Sequence, residues 1–333
     1  MTHRITIEGG GVFDVSAEES TLLRGALRAG VGFPYDCSVG GCGSCRFELI
    51  SGEMETLWTT APGLSERDRR RGKRLACQSR PLGDCTIKLR PDDEYRPPIP
   101  PRRVSAILRE RRAVTADMAE FVFRTDRPAD FVAGQYALLQ PPGAAGMRAY
   151  SMSNLPNAEG EWRFVIRRVP GGRGSNAMFD NVQVGDAVTL DGPYGHAHFR
   201  ADVPRDVVCI AGGSGIGPIV SVARAAAQDS GPRRLFVFEG ARTRADLCFP
   251  VLADDARDKV TAYMPVLSAE AEASDWDGAR GFVHEEVERA VGEQVESCEF
   301  YFAGPPPMIE ALQKLLIVQW GVPIARIHFD RFF

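Results

Sequence analysis

The amino-acid sequence predicts a multidomain protein of α+β and α/β class, and three observations along its 333 residues carry that prediction. The first quarter mixes strand and helix patterns around a group of cysteines. The middle holds many short β-like runs broken by Gly and Pro, as in an antiparallel β-barrel. The last part alternates strands with helices, which is typical of an open parallel sheet. The chain length fits two or three domains.

The first domain is predicted over residues 1–92. ITIEG and VFDVSA flank a glycine-rich turn and predict a hairpin, and TLLRGALRAG predicts a helix that ends at Gly30. The apolar run FELISGEM predicts a strand. Residues 64–72 predict an exposed helix with Ser65 as N-cap, and CTIKLRP closes the domain as a last strand.

Five prolines between Pro91 and Pro101 predict an extended linker, placed at residues 93–101. The barrel domain is predicted over 102–203, from the runs FVFRT, GQYALLQ, WRFVIRRV and AVTLDGP. The third domain is predicted over 204–333. Its strands are VVCIAGG, RLFVFEG, TAYMPVL and EFYFAGP, with helices through IVSVARAAAQ, GFVHEEVERAV and MIEALQKLLIVQW.

Composition excludes several classes of protein. With 44% hydrophobic and 25% charged residues the chain is globular rather than disordered. A net charge of -4 argues against a nucleic-acid binder. No apolar stretch approaches the ~18–20 residues that cross a bilayer, and MTHRITIEGG has no signal-peptide core. We therefore expect a cytoplasmic monomer with no nucleic-acid or membrane partner.

Four cysteines follow a spacing with a specific chemical meaning. Cys37, Cys42, Cys45 and Cys77 form C-x4-C-x2-C with a distant fourth cysteine, which is the plant-type [2Fe–2S] pattern. The glycines around Cys42 let the backbone wrap an inorganic core. A structural zinc site is the alternative, but it usually has two C-x2-C pairs and only one is present. The remaining cysteines are predicted to be core residues: Cys85, Cys209, Cys248 and Cys298.

Residues 1–90 resemble plant-type ferredoxins, which implies a β-grasp ferredoxin domain. GFPYDCSVGGCGSCRFEL, with LACQ around Cys77, resembles the N-terminal domain of reductases that serve bacterial multicomponent oxygenases. The string RAYSMS at 148–153 is similar to the RxYSxS string with which ferredoxin–NADP reductase-like barrels hold a flavin. The resemblance therefore implies a flavin-binding barrel followed by a nucleotide-binding α/β domain.

The resemblance also implies roles for the residues of that string. The Arg148 guanidinium would bridge pyrophosphate oxygens, and the Tyr150 ring would lie against the isoalloxazine. The Ser151 hydroxyl would hydrogen-bond the flavin N5 edge, where hydride arrives. Tyr150 and Ser151 are thus the candidate catalytic residues, and Ser153 completes the flavin-binding string.

VIRRVPGGRGSN resembles the second flavin-binding element of the family. Arg167, Gly174 and Ser175 stand in the matching places of its phosphate turn. FAD rather than FMN is implied, because the ferredoxin domain precedes the flavin domain in this chain.

Two glycine-rich motifs indicate a nicotinamide-nucleotide site. Glycines between a strand and a helix let a dinucleotide approach the backbone and the positive end of the helix. GGSGIGP resembles the GG[ST]GxxP loop of the reductases, and YFAGPPPM resembles their C-G-P-P-x-M motif, although Ala303 stands where a Cys is common. The implied contact residues are Gly212, Gly213, Gly215, Pro218, Gly304, Pro305 and Pro306.

The choice of coenzyme depends on three residues. Glu239 ends the strand after the glycine loop, where a carboxylate can accept from the adenosine ribose 2′-OH and repel a 2′-phosphate, so NADH is predicted. Arg242 and Arg244 follow closely and could instead bind a 2′-phosphate, which keeps NADPH as the alternative.

The C-terminal segment IHFDRFF resembles the aromatic end that packs over the flavin in the family. Phe332 aligns with that aromatic residue, and Phe333 is the fallback. A tail that only packs against the core is the alternative.

The three motifs together imply an NADH-dependent reductase that passes electrons through FAD and the [2Fe–2S] cluster to a protein acceptor. APGLS, LACQ, AGPPPM and HFDRFF resemble reductases of aromatic-ring monooxygenases and carbazole-type dioxygenases. The implied acceptor is a di-iron hydroxylase or a Rieske oxygenase, reached directly or through a small ferredoxin. A deoxysugar dehydrase or cytochrome P450 acceptor, and a non-enzymatic redox sensor, are the alternatives.

The run RDRRRGKR between Arg67 and Arg74 is basic and precedes Cys77. It predicts either a solvated helix or a docking patch for an acidic partner.

Overall fold

The computed structural model describes residues 1–143, 146–229, 231–272 and 274–332. The chain divides into two compact units. Unit 1 consists of Met1–Arg103 with the short segments Met147–Ala149 and Asp191–His196. Unit 2 consists of Val104–Gly146, Tyr150–Leu190 and Ala197–Phe333.

Unit 1 is built on a mixed five-stranded sheet crossed by a helix. Its elements in chain order are β1 (Thr2–Ile7), β2 (Val12–Ser16), α1 (Leu22–Arg28), β3 (Arg46–Ser51), β4 (Met54–Thr56), α2 (Glu66–Arg70), β5 (Lys73–Leu75), β6 (Ser79–Pro81) and β7 (Cys85–Lys88). The sheet has the order β2-β1-β7-β3-β5 with a parallel β1–β7 pair, while β4 pairs with β6. This mixed arrangement confirms the α+β class predicted for the ferredoxin domain.

Local sequence explains how these elements begin and end. The Thr21 hydroxyl accepts from the backbone N–H of Arg24 at 3.3 Å and caps α1, which ends before Gly30. The predicted N-cap of α2 is confirmed, because the Ser65 hydroxyl accepts from Asp68 N at 3.1 Å. The run FELISGEM, predicted as one strand, forms β3 and β4 with a turn at Gly52 between them.

The segment Asp191–His196 belongs to unit 1 through a buried polar network. Asp191 is fully buried, and Arg28 Nη2 donates to both of its carboxylate oxygens at 2.8 Å. The Tyr194 hydroxyl donates to the same carboxylate at 2.8 Å, and Gly195 N donates to the Tyr35 hydroxyl at 3.0 Å. A buried carboxylate is tolerated only with such partners, so the network holds this segment in place.

The second sheet has six strands in the order β11-β10-β13-β8-β9-β12. Its region contains β8 (Arg102–Ala113), β9 (Met118–Arg124), β10 (Tyr136–Gln140), β11 (Arg148–Ser151), β12 (Glu161–Arg167), α3 (Arg173–Asn181) and β13 (Ala187–Tyr194). The predicted β-rich barrel region is confirmed. Helix α3 was not predicted, and it buries Gly174, Ala177 and Met178 against the barrel.

The third sheet is the predicted open parallel sheet, in the order β17-β16-β15-β14-β18-β19. Its elements are β14 (Asp206–Gly212), α4 (Ile216–Gln228), β15 (Leu235–Ala241), α5 (Phe249–Leu252), β16 (Ala262–Leu267), β17 (Ala279–Arg280), α6 (Val283–Val291), β18 (Cys298–Gly304), α7 (Pro306–Gln313) and β19 (Ile327–Arg331). The predicted C-terminal helix ends as α7 and continues as a π-helical stretch over Lys314–Gln319.

The barrel and the parallel sheet share one hydrophobic cluster, and each also has a cluster of its own. Met118 and Val165 of the barrel are buried in the same cluster as Ile219 and Val222 of α4. The sequence predicts a boundary between residues 203 and 204, but side chains from both sides pack together, so the two regions form one compact unit. Within the described residues, no helix is long and apolar enough to span a bilayer.

The four cysteines without a motif are confirmed as core residues. Cys85, Cys209, Cys248 and Cys298 are all buried.

Candidate redox centres and nucleotide site

The four motif cysteines come together in unit 1 as two pairs. The sulfur atoms of Cys45 and Cys77 lie 3.4 Å apart. Cys37 and Cys42 form the other pair, in which Cys42 N donates to the Cys37 sulfur at 3.3 Å. Across the described ranges, no three His, Cys, Asp or Glu side chains converge on a position for one metal ion. Two thiol pairs suit a binuclear [2Fe–2S] cluster better than a single tetrahedral zinc ion.

Backbone donors point at the cluster ligands. Gly41 N donates to the Cys37 sulfur at 3.3 Å, and Ser44 N donates to the Cys42 sulfur at 3.5 Å. The pKa of Cys42 is lowered to about 4, mainly because the Cys37 thiol donates a hydrogen bond to it. The pKa of Cys77 is raised by its hydrogen bond with Cys45 and by burial. Iron binds thiolates, and these N–H groups would stabilise the resulting negative charge.

A second segment closes over the cysteine loop. Gly43 has a φ of +85°, and a Cβ there would lie 2.3 Å from the carbonyl oxygen of Gly63. Gly63 N also donates to the Gly40 carbonyl at 2.9 Å. Only glycine fits position 43, because both its backbone angle and its neighbour exclude a side chain.

The predicted flavin string lies on β11, an edge strand of its sheet. Ser151 and Ser153 are buried, and the Ser153 hydroxyl donates to the Glu120 carboxylate at 3.2 Å. Tyr150 is half-buried against the barrel core. A Cβ at Gly217, in the first turn of α4, would lie 3.6 Å from the Ser151 carbonyl oxygen. The string therefore runs beside the start of the nucleotide-binding helix, where a flavin can meet a nicotinamide.

Arg148 begins β11, and its Nη1 donates to the Met147 carbonyl at 3.0 Å. Its guanidinium is half-buried, so part of it can still contact a ligand. The pyrophosphate contact predicted for Arg148 stays a prediction.

The predicted phosphate turn is the N-terminus of α3. Gly174 and Ser175 lie in its first turn, and no side chain caps the helix at Gly172. The Ser175 hydroxyl accepts from Val169 N at 3.1 Å and so holds the turn that precedes the helix. Backbone N–H groups at a helix start bind anions well, so this turn fits the pyrophosphate of FAD.

Arg167 lies between Asp117, which precedes β9, and the nucleotide loop. Its Nε donates to the Asp117 carboxylate at 2.6 Å, and its Nη1 lies 3.3 Å from the position of a Cβ at Gly213. A cation held between the two elements can contact a negatively charged ligand from either side.

The two nicotinamide motifs lie side by side. β14 and β18 are parallel neighbours, and GGSGIGP and AGPPPM follow their carboxyl ends. A Cβ at Gly215 would lie 2.1 Å from the Ala303 carbonyl oxygen, and one at Gly212 would lie 2.6 Å from the Met308 sulfur. A Cβ at Gly304 would lie 2.6 Å from Met308 Cε and 3.1 Å from the Gly212 carbonyl oxygen. Nucleotides bind in the crevice at this end of a parallel sheet.

Three further predicted contact residues lie at this end of the sheet. Pro305 precedes α7, Pro306 is its first residue, and Pro218 is buried in the first turn of α4.

The C-terminal aromatic residue lies next to the second motif. Phe332 N donates to the Gly304 carbonyl at 2.9 Å, and its half-buried side chain packs against the shared core. Phe333, the fallback, is outside the described residues.

Protein groups occupy the Glu239 carboxylate at the end of β15. This carboxylate is 3% exposed and accepts hydrogen bonds from Cys248 N at 2.7 Å, Phe249 N at 3.1 Å and the Tyr263 hydroxyl at 2.6 Å. Burial raises the pKa of this carboxyl group. These contacts argue against the predicted hydrogen bond to the ribose. They give Glu239 a structural role, in which it holds the start of α5 against β15 and β16.

The two neighbouring arginines differ in how they are held. Arg244 pairs with Asp275 at 2.9 Å and lies over the Trp276 ring, with its guanidinium carbon 5.3 Å from the ring centre. Arg242 is exposed, and no side-chain contact engages it in the described part of the chain.

Sequence reasoning missed the residues that support the flavin string. Glu120 accepts from Ser153, Asp117 accepts from Arg167, and Arg224 Nη1 donates to the Ser153 carbonyl at 2.7 Å. They belong to different elements and follow no local spacing, so only the folded chain brings them together.

Known domain families match three segments of the chain. The 2Fe-2S iron-sulfur cluster binding domain matches residues 5–82, the oxidoreductase FAD-binding domain 105–199, and the oxidoreductase NAD-binding domain 209–314.

Relatives match over nearly the whole chain. Ferredoxin–NAD(P)+ reductase CarAd of Metapseudomonas resinovorans is 42% identical over 99% of this chain and 100% of its own length. The ferredoxin–NAD+ reductase component of the alkene monooxygenase system of Xanthobacter autotrophicus is 36% identical over 94% of this chain and 96% of its own. A solved structure of the ferredoxin reductase in carbazole 1,9a-dioxygenase superimposes with a TM-score of 0.92 at 37% identity, covering 100% of this chain and 99% of that one.

The fold and sites define an oxidoreductase that carries FAD and a [2Fe–2S] cluster and takes electrons from NADH. The chain belongs to the family of ferredoxin–NAD(P)+ reductases with an N-terminal [2Fe–2S] domain.

Proposed function

We propose that this reductase delivers electrons to the oxygenase component of an aromatic-compound-degrading system, either a di-iron hydroxylase or a Rieske oxygenase, directly or through a small ferredoxin. Two relatives are named as reductase components of an alkene and a propane monooxygenase. The support comes from the other relatives at 30% identity or more that are named as electron-transfer or reductase components of aromatic oxygenase systems. They include xylene/toluene monooxygenase of Pseudomonas putida and anthranilate 1,2-dioxygenase of Acinetobacter baylyi.

When bound, FAD accepts hydride from NADH as an electron pair and releases electrons singly to the cluster. For the flavin we propose the predicted contacts: Arg148 and the start of α3 at the pyrophosphate, Tyr150 against the ring, and Ser151 at the N5 edge. The burial of Ser151 beside α4 carries this proposal, because a hydroxyl shielded from water there can hold a nicotinamide and a flavin ring in line.

A cytochrome P450 is the second candidate acceptor. The structure of the Amycolatopsis cytochrome P450 reductase GcoB superimposes with a TM-score of 0.83 at 30% identity over 99% of both chains. Both candidates use the same electron path within this chain, so the acceptor alone distinguishes them.

We also propose a cytoplasmic monomer. Four of the eight cysteines are the predicted cluster ligands and the other four are buried core residues with no disulfide in the described chain, an arrangement that suits a reducing compartment.

The electron path is tested with Cys42→Ala. We expect the variant to lose NADH-dependent reduction of cytochrome c, because the cluster is gone, and to keep reduction of ferricyanide, which accepts electrons from the flavin. Cys85→Ala is the matched control, since it removes a buried cysteine of the same unit that is not a cluster ligand. Loss of both activities in Cys42→Ala alone would contradict the proposed order of transfer.

The acceptor is tested by reconstitution with the co-encoded oxygenase component. We expect NADH consumption to be coupled to product formation. Coupling to a co-encoded cytochrome P450 instead would favour the second candidate.

A further inference from the structure

The surface beside the cluster ligands concentrates positive charge. Between Leu64 and Arg74 the sequence has six basic and two acidic side chains, whereas the whole chain has a net charge of -4. Two of the basic side chains hold the segment in place. Arg69 Nη2 donates to the Ala61 carbonyl at 2.8 Å, and Arg74 Nη1 donates to the Met54 carbonyl at 3.1 Å.

Three other arginines of this run extend into solvent. Arg67, Arg70 and Arg71 are exposed, and within the described residues no side-chain hydrogen bond or ion pair engages their guanidinium groups. Asp68, the acid among them, already pairs with Arg46 at 3.1 Å. The helix dipole favours Arg67 and Arg70 in the last turn of α2 only modestly, and like charges so close together repel one another, so helix stability alone does not account for the three arginines.

Two large apolar side chains precede this run in the sequence, directly after β4. Leu57 and Trp58 are each 44% exposed. A Cβ at Gly40 would lie 3.2 Å from Trp58 Cε3, and Leu57 N donates to the Gln78 carbonyl at 2.9 Å. The pair therefore lies beside the loop between Cys37 and Cys42 and next to the residue that follows Cys77.

Two hydrogen bonds link the apolar and the basic parts to the cluster loop. Gly63 N is bonded to the Gly40 carbonyl, and Arg69 ties α2 to Ala61, which is three residues beyond Trp58. An exposed aromatic residue with charged residues around it is the usual composition of a protein–protein interface.

We propose that Leu57, Trp58, Arg67, Arg70 and Arg71 form the docking surface for the electron acceptor, and that the acceptor is an acidic redox protein with carboxylates around its own exposed redox centre. This inference rests on the proposed function, in which electrons leave the chain through the cluster. Because the rest of the chain is acidic, the local positive surface would both attract such a partner and turn the cluster towards it.

The test compares two small heme proteins of opposite charge as acceptors: cytochrome b5, which is acidic, and cytochrome c, which is basic. The variant is Arg67→Glu/Arg70→Glu/Arg71→Glu. The matched control is Arg4→Glu/Lys88→Glu/Arg90→Glu, which makes the same change of net charge on exposed residues of β1 and around the end of β7. NADH-dependent reduction is followed from about 10 mM to about 500 mM NaCl, which spans weak to strong screening.

At low salt we expect the wild type to reduce cytochrome b5 faster than it reduces cytochrome c. The rate with cytochrome b5 should fall as the salt concentration rises. In the triple variant at 67, 70 and 71, the low-salt rate with cytochrome b5 should be about tenfold lower than in the wild type and should depend less on salt. The same variant should reduce cytochrome c faster than the wild type does. The control variant should keep most of the cytochrome b5 rate. Ferricyanide reduction should be unchanged in both.

Trp58→Ala separates the apolar contact from the charges. We expect a lower cytochrome b5 rate at every salt concentration with the salt dependence retained, and recovery in Trp58→Phe, while the absorbance and electron paramagnetic resonance of the cluster stay unchanged. The docking surface would be wrong, with the proposed function intact, if both charge-reversal variants lowered the cytochrome b5 rate equally. It would also be wrong if the wild-type rate with cytochrome b5 rose with salt. If the cluster-loaded wild type reduced neither cytochrome b5 nor cytochrome c, the proposed function would be overturned as well.

Discussion

At the residue scale, Glu239 shows how one side chain can satisfy a sequence pattern and serve another purpose. An acidic residue at the end of the second strand of a nucleotide-binding sheet predicts a ribose contact. Here the carboxylate is buried and bonded to two backbone N–H groups and to Tyr263. Arg242, which is exposed beyond the end of β15, stays a candidate for contact with a 2′-phosphate.

Removing the Glu239 carboxylate should lower the stability of the fold more than it changes the preference for NADH over NADPH. We expect Glu239→Ala to lower the free energy of unfolding by about 3 kcal/mol, because Cys248 N and Phe249 N lose their buried acceptor. Urea denaturation measures the loss. In Glu239→Gln the ratio of kcat/KM for NADH to that for NADPH should change less than about twofold, because the amide keeps the shape of the side chain and does not contact the coenzyme. A clear gain of NADPH-dependent activity in Glu239→Gln would instead support the predicted hydrogen bond between Glu239 and the ribose.

The raised pKa of Glu239 also predicts a pH dependence. In the unfolded chain this carboxyl group ionises at its ordinary pKa, whereas in the fold burial keeps it protonated to higher pH. The stability it contributes is therefore present at low pH and lost as pH rises through the raised pKa. We expect the free energy of unfolding of the wild type, minus that of Glu239→Gln, to fall as pH rises from the ordinary pKa of a glutamate through the raised pKa of the folded state. A difference that grows with pH would show that the carboxylate is stabilised as the anion.

Ala303 is the residue at which the chain departs from its family. It is buried beside a small cavity that Pro218, Tyr301 and His328 also line. We expect Ala303→Cys to fold with less than about 1.5 kcal/mol change in stability, since the cavity can take the sulfur. If the thiol aligns the nicotinamide, stopped-flow flavin reduction by NADH should accelerate by up to about tenfold. Ala303→Ser is the control, and equal acceleration there would rule out a specific effect of sulfur.

At the element scale, the crossing of two loops makes the cluster site. The cysteine loop and the segment around Gly63 approach so closely that position 43 has no room for a side chain. The cluster therefore depends on residues far from the ligands in sequence as well as on the ligands themselves.

Gly43→Ala tests that dependence against Gly72→Ala. Both glycines have positive φ, but a Cβ at Gly72 would meet nothing within 4 Å, whereas one at Gly43 would meet the Gly63 carbonyl. We expect Gly72→Ala to cost only about 1 kcal/mol, the backbone strain of the left-handed region. Gly43→Ala should lose iron content and cytochrome c reduction while keeping ferricyanide reduction. Full iron content in Gly43→Ala would show that the two loops can separate.

Elements with a local signal were predictable, and those made by distant contacts were not. The hairpin, α1 and the parallel strands follow from periodicity and caps, and the cluster ligands follow from spacing. Helix α3 was missed because its sequence RGSNAMFDN has few apolar residues. The partners of Ser153 and Arg167 lie 33 and 50 residues away, so no local pattern could indicate them.

At the scale of the whole molecule, the number of compact units differs from the number of domain families. Three families match the chain, but Met118 and Val165 of the barrel pack in the same core as α4. A shared core means that neither half can unfold without exposing apolar surface of the other. Flavin and nucleotide binding should therefore be lost together.

We expect calorimetry to show two unfolding transitions, one for each compact unit, with FAD release in the same transition as the parallel sheet. Val222→Ala should lower that transition, because Val222 is buried in α4 and its Cγ2 would lie 3.1 Å from a Cβ at Gly134 of the barrel region. Loss of two buried methyl groups costs about 2 kcal/mol. Val251→Ala is the matched control, since Val251 is 67% exposed and the same truncation there should shift the transition little. A third transition, in which FAD is released before the parallel sheet unfolds, would show that the barrel and the sheet are independent.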